Sequence, residues 1–112
     1  MFEQDKKPKE EVFRIIKHME EDPAATQRML SGKLGISLGK TNYLIKELIK
    51  KGFVEASNFT HNSGKLQKVQ YLLTKAGLEE KWRLANYFLL LKESEYNMMK
   101  KEMEKISERQ PV

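Results

Sequence analysis

Lys40, Tyr43, Lys46 and Lys50 recur every three or four residues, so on a helix they form one stripe of three ammonium groups and a phenol. Ammonium groups pair with phosphate oxygens, and lysine and tyrosine side chains also reach the edges of nucleobases. Asn42 lies beside the stripe, where its amide suits a bidentate contact with adenine or simply shapes the helix edge. Gln27 and Arg28 begin the preceding apolar-periodic segment, so free main-chain amides and a guanidinium together suit a phosphate there. Lys65 and Lys68 flank a polar turn that also carries His61 and Asn62, a second basic point able to meet a groove or its backbone. Each of these features also occurs on ordinary solvated surfaces; their order along the chain is what joins them.

The segments that must position these residues follow from caps and periodicity. Lys9 to Glu21 reads as a first helix with Val12, Ile15, Ile16 and Met19 at helical spacing, ended by Asp22-Pro23. Thr26 caps a second helix through Leu34, with Met29, Leu30 and Leu34 expected to face inward, and Gly35 supplies a left-handed stop. Ser37 caps a third helix ending near Lys51 and Gly52. Its expected inner face is Leu38, Thr41, Leu44, Ile45, Leu48 and Ile49. Phe53 to Phe59 and Lys68 to Leu73 then read as two strands joined by a turn at Asn62, Ser63 and Gly64.

Everything after Thr74 reads as one helix. Trp82, Ala85, Leu89, Lys92, Tyr96, Met99, Met103 and Ile106 alternate in steps of three and four, a heptad seam with one lysine in it. Residues 75 to 109 would span roughly 50 Å at about 1.5 Å per residue. A domain of this size has a radius of gyration of about 13 Å, so the distal half must run past it. An apolar stripe in that position is expected to pair with a second copy. Trp82, Tyr87, Phe88, Leu89, Leu90 and Leu91 should divide between that seam and the domain core.

The bulk properties agree. The chain has 112 residues, net charge +5 and no cysteine, so disulfides, thiolate zinc sites and cysteine nucleophiles are all excluded. Residues 1 to 25 carry five basic and seven acidic side chains, residues 26 to 73 eight and two, and residues 74 to 112 eight and seven. The positive excess therefore sits on the second and third helices and the strands, which fits either a phosphate-docking surface or a solvated lysine-rich one. No apolar run approaches the roughly 20 residues of a membrane span, and the charged start lacks a signal-peptide pattern, so a cytoplasmic location is expected. GISLGKT, at Gly35 to Thr41, ends like a phosphate loop but is one residue short between its glycines and follows a helix rather than a strand. His18 and His61 have no companions that would complete a zinc site, and no catalytic constellation stands out, so no cofactor and no enzyme activity are expected.

Helix, helix, helix, hairpin is the order of a winged helix, and TQRMLSGKLGISLGKTNYLIKELIKKGFV resembles the helix-turn-helix of MarR-type regulators. YLLTKAG, at Tyr71 to Gly77, resembles the strand-to-helix junction that closes the wing in MarR and PadR proteins. The pattern of Gln27-Arg28, Gly35 to Lys40, Asn42-Tyr43, Glu80-Lys81 and Glu95-Tyr96 is similar to a smaller group of exopolysaccharide-associated MarR-family regulators. The resemblance spans roughly residues 10 to 108 and implies sequence-specific binding of double-stranded DNA by a homodimer, with the third helix in the major groove. The wing departs from larger relatives by offering lysines where they often carry an Asp-x-Arg pair. An N-terminal helical extension like that of those relatives is not expected here, so the C-terminal helix is expected to do most of the dimerising; a small-molecule effector is possible but not indicated.

The expected fold is therefore α+β and mostly α: a winged helix-turn-helix over residues 9–73, then a dimerisation helix over residues 74–110. The expected DNA-binding residues are Gln27, Arg28, Ser37, Lys40, Asn42, Tyr43, Lys46, Lys50, Lys65 and Lys68, with Lys40 and Tyr43 on bases and Lys46 and Lys50 on the backbone. Repression by occupying a promoter is the expected mode. The competing class is a winged helix that docks on a protein; the lysine stripe opposes burial of the third helix in such an interface.

Overall fold

Two acidic residues open the first helix and a proline follows its end, and α1 runs between them, Glu10–Glu21. Glu10 and Glu11 complement the positive end of the helix dipole, and Ile15, Ile16 and Met19 turn inward. The computed structural model describes residues 8–60 and 67–109. After α1 the Asp22 carboxylate accepts from the Ala24 amide at 3.2 Å, closing a turn that buries Ala25.

The second helix, α2 (Gln27–Leu34), starts where Thr26 Oγ1 accepts the Met29 amide at 3.1 Å. It stops at Gly35, whose φ of 71° is left-handed and whose amide donates to the Ser31 carbonyl at 2.9 Å. Two residues later Ser37 Oγ accepts from the Lys40 amide at 3.0 Å and starts α3 (Leu38–Lys50). The end of α3 is a Schellman motif: Gly52, at φ 81°, donates to Ile49 and Phe53 donates to Leu48.

Two antiparallel strands follow, β1 (Val54–Thr60) and β2 (Gln67–Leu73), in a register that opposes Val54 to Leu73 and Ala56 to Tyr71. Val54 and Tyr71 are buried against the helices, and the Tyr71 amide donates to the Pro23 carbonyl at 3.1 Å, which fastens the base of the hairpin to the α1–α2 turn. Thr74 then joins three elements. Its amide donates to the Phe53 carbonyl, its hydroxyl donates to the Gly52 carbonyl at 2.6 Å, and that oxygen accepts the Gly77 amide at 3.0 Å.

The last element, α4 (Lys75–Arg109), is 35 residues long. Gly77, Leu84 and Phe88 pack it onto the domain, with the Phe88 ring 6.4 Å from Phe13 and edge-on to Tyr87 at 5.0 Å. From Leu89 onward every described residue is exposed, and the molecule extends 70 Å along its longest axis. The fold is thus the expected winged helix-turn-helix with a projecting C-terminal helix.

Three side chains depart from the expected inner faces. Met29 is 46% exposed, Leu38 42% and Ile49 39%. The buried arc of α3 spans only Thr41, Leu44, Ile45 and Leu48, so Leu38 and Ile49 fall on its shoulder, and Met29 lies outside the Leu30–Leu34 line of α2.

Candidate nucleic-acid interface

Because α3 buries four residues along one arc, its opposite side stays open. That side presents Tyr43, 61% exposed, together with Lys46 and Lys50, and Gly39 lies in line with them one turn nearer the N-terminus. Arg28 stands exposed at the start of α2. No described acidic side chain is paired with Lys46, Lys50 or Arg28, so these cations are available to an outside anion.

Lys40 behaves differently. Its ammonium lies 3.0 Å from the carboxylate of Glu11, on the flank of α3 that faces α1. Two carbonyls at the C-terminus of α2, Lys33 and Leu34, each accept from the Arg14 guanidinium at 3.3 Å, so α1 also holds the turn between α2 and α3. Neither Glu11 nor Arg14 was signalled by local spacing, since their partners lie about 20 to 30 positions further along the chain.

On the other flank of α3, Asn42 Nδ2 donates to Gln27 Oε1 at 3.1 Å, and Gln27 Nε2 donates to the Tyr71 hydroxyl at 3.1 Å. Gln27 and Asn42 are thus brought together, half-buried, in a chain that runs from β2 through α2 to α3. The Ser37 hydroxyl is occupied as the cap of α3. His61, Asn62 and Lys65 lie outside the described residues, and of Lys68 only its place in β2 is described.

The seam residues sit on the outside of α4. Trp82 is 72% exposed, Leu89, Tyr96 and Met99 each 65%, Met103 58% and Ile106 47%, while Ala85 is half-buried. Lys92 turns toward the protein's own α1 and meets Glu10 at 3.3 Å. Glu20 pairs with Lys81 on the same side. Leu84, which the heptad spacing passes over, is the α4 residue most deeply set in the core, at 2% exposure.

A cleft of about 460 Å³ opens between the start of α1, α3 and the start of α4, with Val12, Leu48 and Leu84 on its walls. Glu80 and Arg83 at its rim are bonded to one another at 2.6 and 2.9 Å, and the Glu80 carboxylate raises the guanidinium's already high pKa. No described helix is long and apolar enough to cross a membrane.

Residues 12–55 match the model of a family described as winged helix-turn-helix DNA-binding. The matched segment runs from α1 to the start of β1 and holds the helix-turn-helix itself. Solved structures share the winged helix at low sequence identity. A PadR-like transcriptional regulator from Bacillus cereus superposes with a TM-score of 0.69 at 18% identity, covering 79% of this chain and 89% of its own. ZitR from Lactococcus lactis gives 0.66 at 20% identity, with 96% and 74% covered. A MarR/EmrR family transcriptional regulator from Acinetobacter gives 0.54 at 19% identity, with 87% and 75% covered. A search of the curated proteins finds no match. The winged helix of this chain is therefore matched by its fold to MarR-family and PadR-like regulators.

Proposed function

We propose that this winged helix is a sequence-specific regulator of transcription that binds double-stranded DNA as a homodimer in the cytoplasm. The observation that carries the reading is the open face of α3, where Tyr43, Lys46 and Lys50 stand exposed within the segment that matches the DNA-binding family. A helix of that kind fits the major groove, with its first turns on base edges and later lysines on phosphates. Arg28 adds a phosphate contact from the start of α2. The exposed seam of α4 supports pairing with a second copy, which would place two recognition helices on half-sites about one helical turn apart, roughly 34 Å. Blocking polymerase at such a site gives repression. The motifs shared with exopolysaccharide-associated MarR-family regulators support placing the chain in that group.

Binding to random-sequence duplex and to fragments of its own upstream region, across a salt series, tests the proposal. Steep salt dependence with preference for some fragments is the expected result. Lys46→Ala should weaken binding to every sequence and flatten the salt slope by about one unit. No binding at low salt by a folded protein would favour a protein-docking module, for which exposed Leu38 and Ile49 on α3 offer apolar contacts.

A further inference from the structure

The Asn42 amide offers two N–H donors and an accepting oxygen, and the structure commits one of the donors. An N–H is taken by Gln27 Oε1, while among the described residues Oδ1 takes no hydrogen bond. Gln27 in turn donates from Nε2 to Tyr71, whose side chain is buried and whose main chain is itself tied to Pro23. Asn42 is therefore held in place by a chain of three side chains on three elements. Reading adenine needs an acceptor for the N6 amino group and a donor for N7, which are the two amide positions that this bond leaves over.

Gly39 lies three residues before Asn42, on the same side of α3. A Cβ added there would meet nothing within 4 Å, and its φ is not positive, so neither packing nor backbone conformation calls for glycine. Glycine inside a helix is less stable than alanine. What a bare backbone at this exposed point does provide is close approach by something outside the molecule.

We infer that Asn42, positioned by Gln27, reads an adenine in the major groove, and that Gly39 lets the base edges come close enough for it to do so. Lys40, which would otherwise stand first among the base-contacting candidates, is turned aside by Glu11. The inference rests on the DNA-binding reading and names where its specificity resides. Asn42 and Gly39 replace Lys40 at the centre of the reading edge, with Tyr43 beside them.

The test begins by selecting preferred duplexes from a randomised pool with the full chain. Affinities are then measured for each A·T to G·C exchange within the selected site. Asn42→Ala should abolish discrimination at one A·T pair, between about 5- and 150-fold, with the salt slope unchanged. Gln27→Ala should lose part of the preference at the same pair. Gln27→Glu should restore it, because a carboxylate still accepts from Asn42 and the Tyr71 hydroxyl can turn to donate to it. Gly39→Ala should raise the thermal unfolding midpoint and weaken specific binding, opposite signs that a purely structural role would not give. Gly32→Ala, at an equally open helical position on α2, should raise the midpoint and leave binding alone. Equal weakening on all sequences by Asn42→Ala, or unchanged binding by Gly39→Ala, overturns the inference while leaving DNA binding intact. A folded wild type that binds no duplex at all removes the DNA-binding reading and this inference with it.

Discussion

Lys40 on α3 and Glu11 on α1 form an ion pair of 3.0 Å, at the point where the N-terminus of α3 would approach DNA under the proposed function. The lysine remains half exposed and the glutamate is more covered, so the pair is partly screened but not dismantled by water. A phosphate must compete with this carboxylate for the same ammonium. Glu11→Gln should therefore tighten DNA binding by about two- to five-fold at low salt, the range of a partly exposed pair. The salt slope should steepen by up to about 0.9, because one more ammonium can displace counterions. Fluorescence anisotropy on one duplex across a salt series reads both. Weaker binding would mean that Glu11 instead holds Lys40 in its productive position.

Close packing makes Gly77 indispensable where α4 begins. An added Cβ would lie 2.0 Å from the Phe53 carbonyl oxygen, a main-chain atom that also accepts the Thr74 amide. Neither side can yield without shifting the α4 start away from the turn after α3. Gly77→Ala should cost at least about 1–3 kcal/mol, whereas Gly32→Ala should stabilise by about 0.5–1 kcal/mol. Urea unfolding midpoints of the two variants, compared with wild type, should move in opposite directions.

The boundaries of α2 and α3 were readable in the sequence because they are set by bonds between near neighbours. Thr26 to Met29, Gly35 to Ser31 and Ser37 to Lys40 each span three or four residues, and side-chain type alone announces them. The width of a buried face is a different matter. Periodicity places Leu38 and Ile49 on the apolar side of α3, but how far the neighbouring elements wrap around that side decides whether they are covered. The contacts that shape the candidate interface are harder still. Lys40 meets Glu11 from 29 residues away, and Gln27 meets Tyr71 from 44 residues away. No local pattern encodes such meetings; they follow from how α1, α2 and the hairpin pack around α3. For the same reason the heptad spacing of α4 passed over Leu84, which belongs to the core-facing side.

Thr74 closes the domain onto α4 with its single hydroxyl, giving a hydrogen bond to Gly52 and receiving one from Gly77. Thr74→Ala should cost about 0.5–2 kcal/mol, the usual loss of a helix cap, with the uncovered Gly52 carbonyl adding toward the upper end. Thr74→Ser retains both bonds and should recover most of that loss. Thermal unfolding of the two variants at one protein concentration measures the difference.

Beyond Leu89, α4 leaves the domain, and the Lys92–Glu10 pair is the last described ion pair that ties it back. The remaining seventeen residues, 93 to 109, form four to five turns of helix with Tyr96, Met99, Met103 and Ile106 open to water. A projecting helix with a row of apolar side chains open to water favours a packed partner that covers them. Replacing Met99 and Met103 together by glutamate puts four like charges into a paired seam, yet it touches nothing in the monomer's own core, because both side chains are already exposed. The wild type should sediment as a dimer and the double variant as a monomer. Its far-ultraviolet helix signal should fall as the distal turns fray, while the core unfolds at a temperature that no longer depends on protein concentration. Binding to a two-half-site duplex should drop more steeply than binding to a single half-site, since only the former uses both copies. A double variant that remained dimeric would place the subunit interface elsewhere than on the α4 seam.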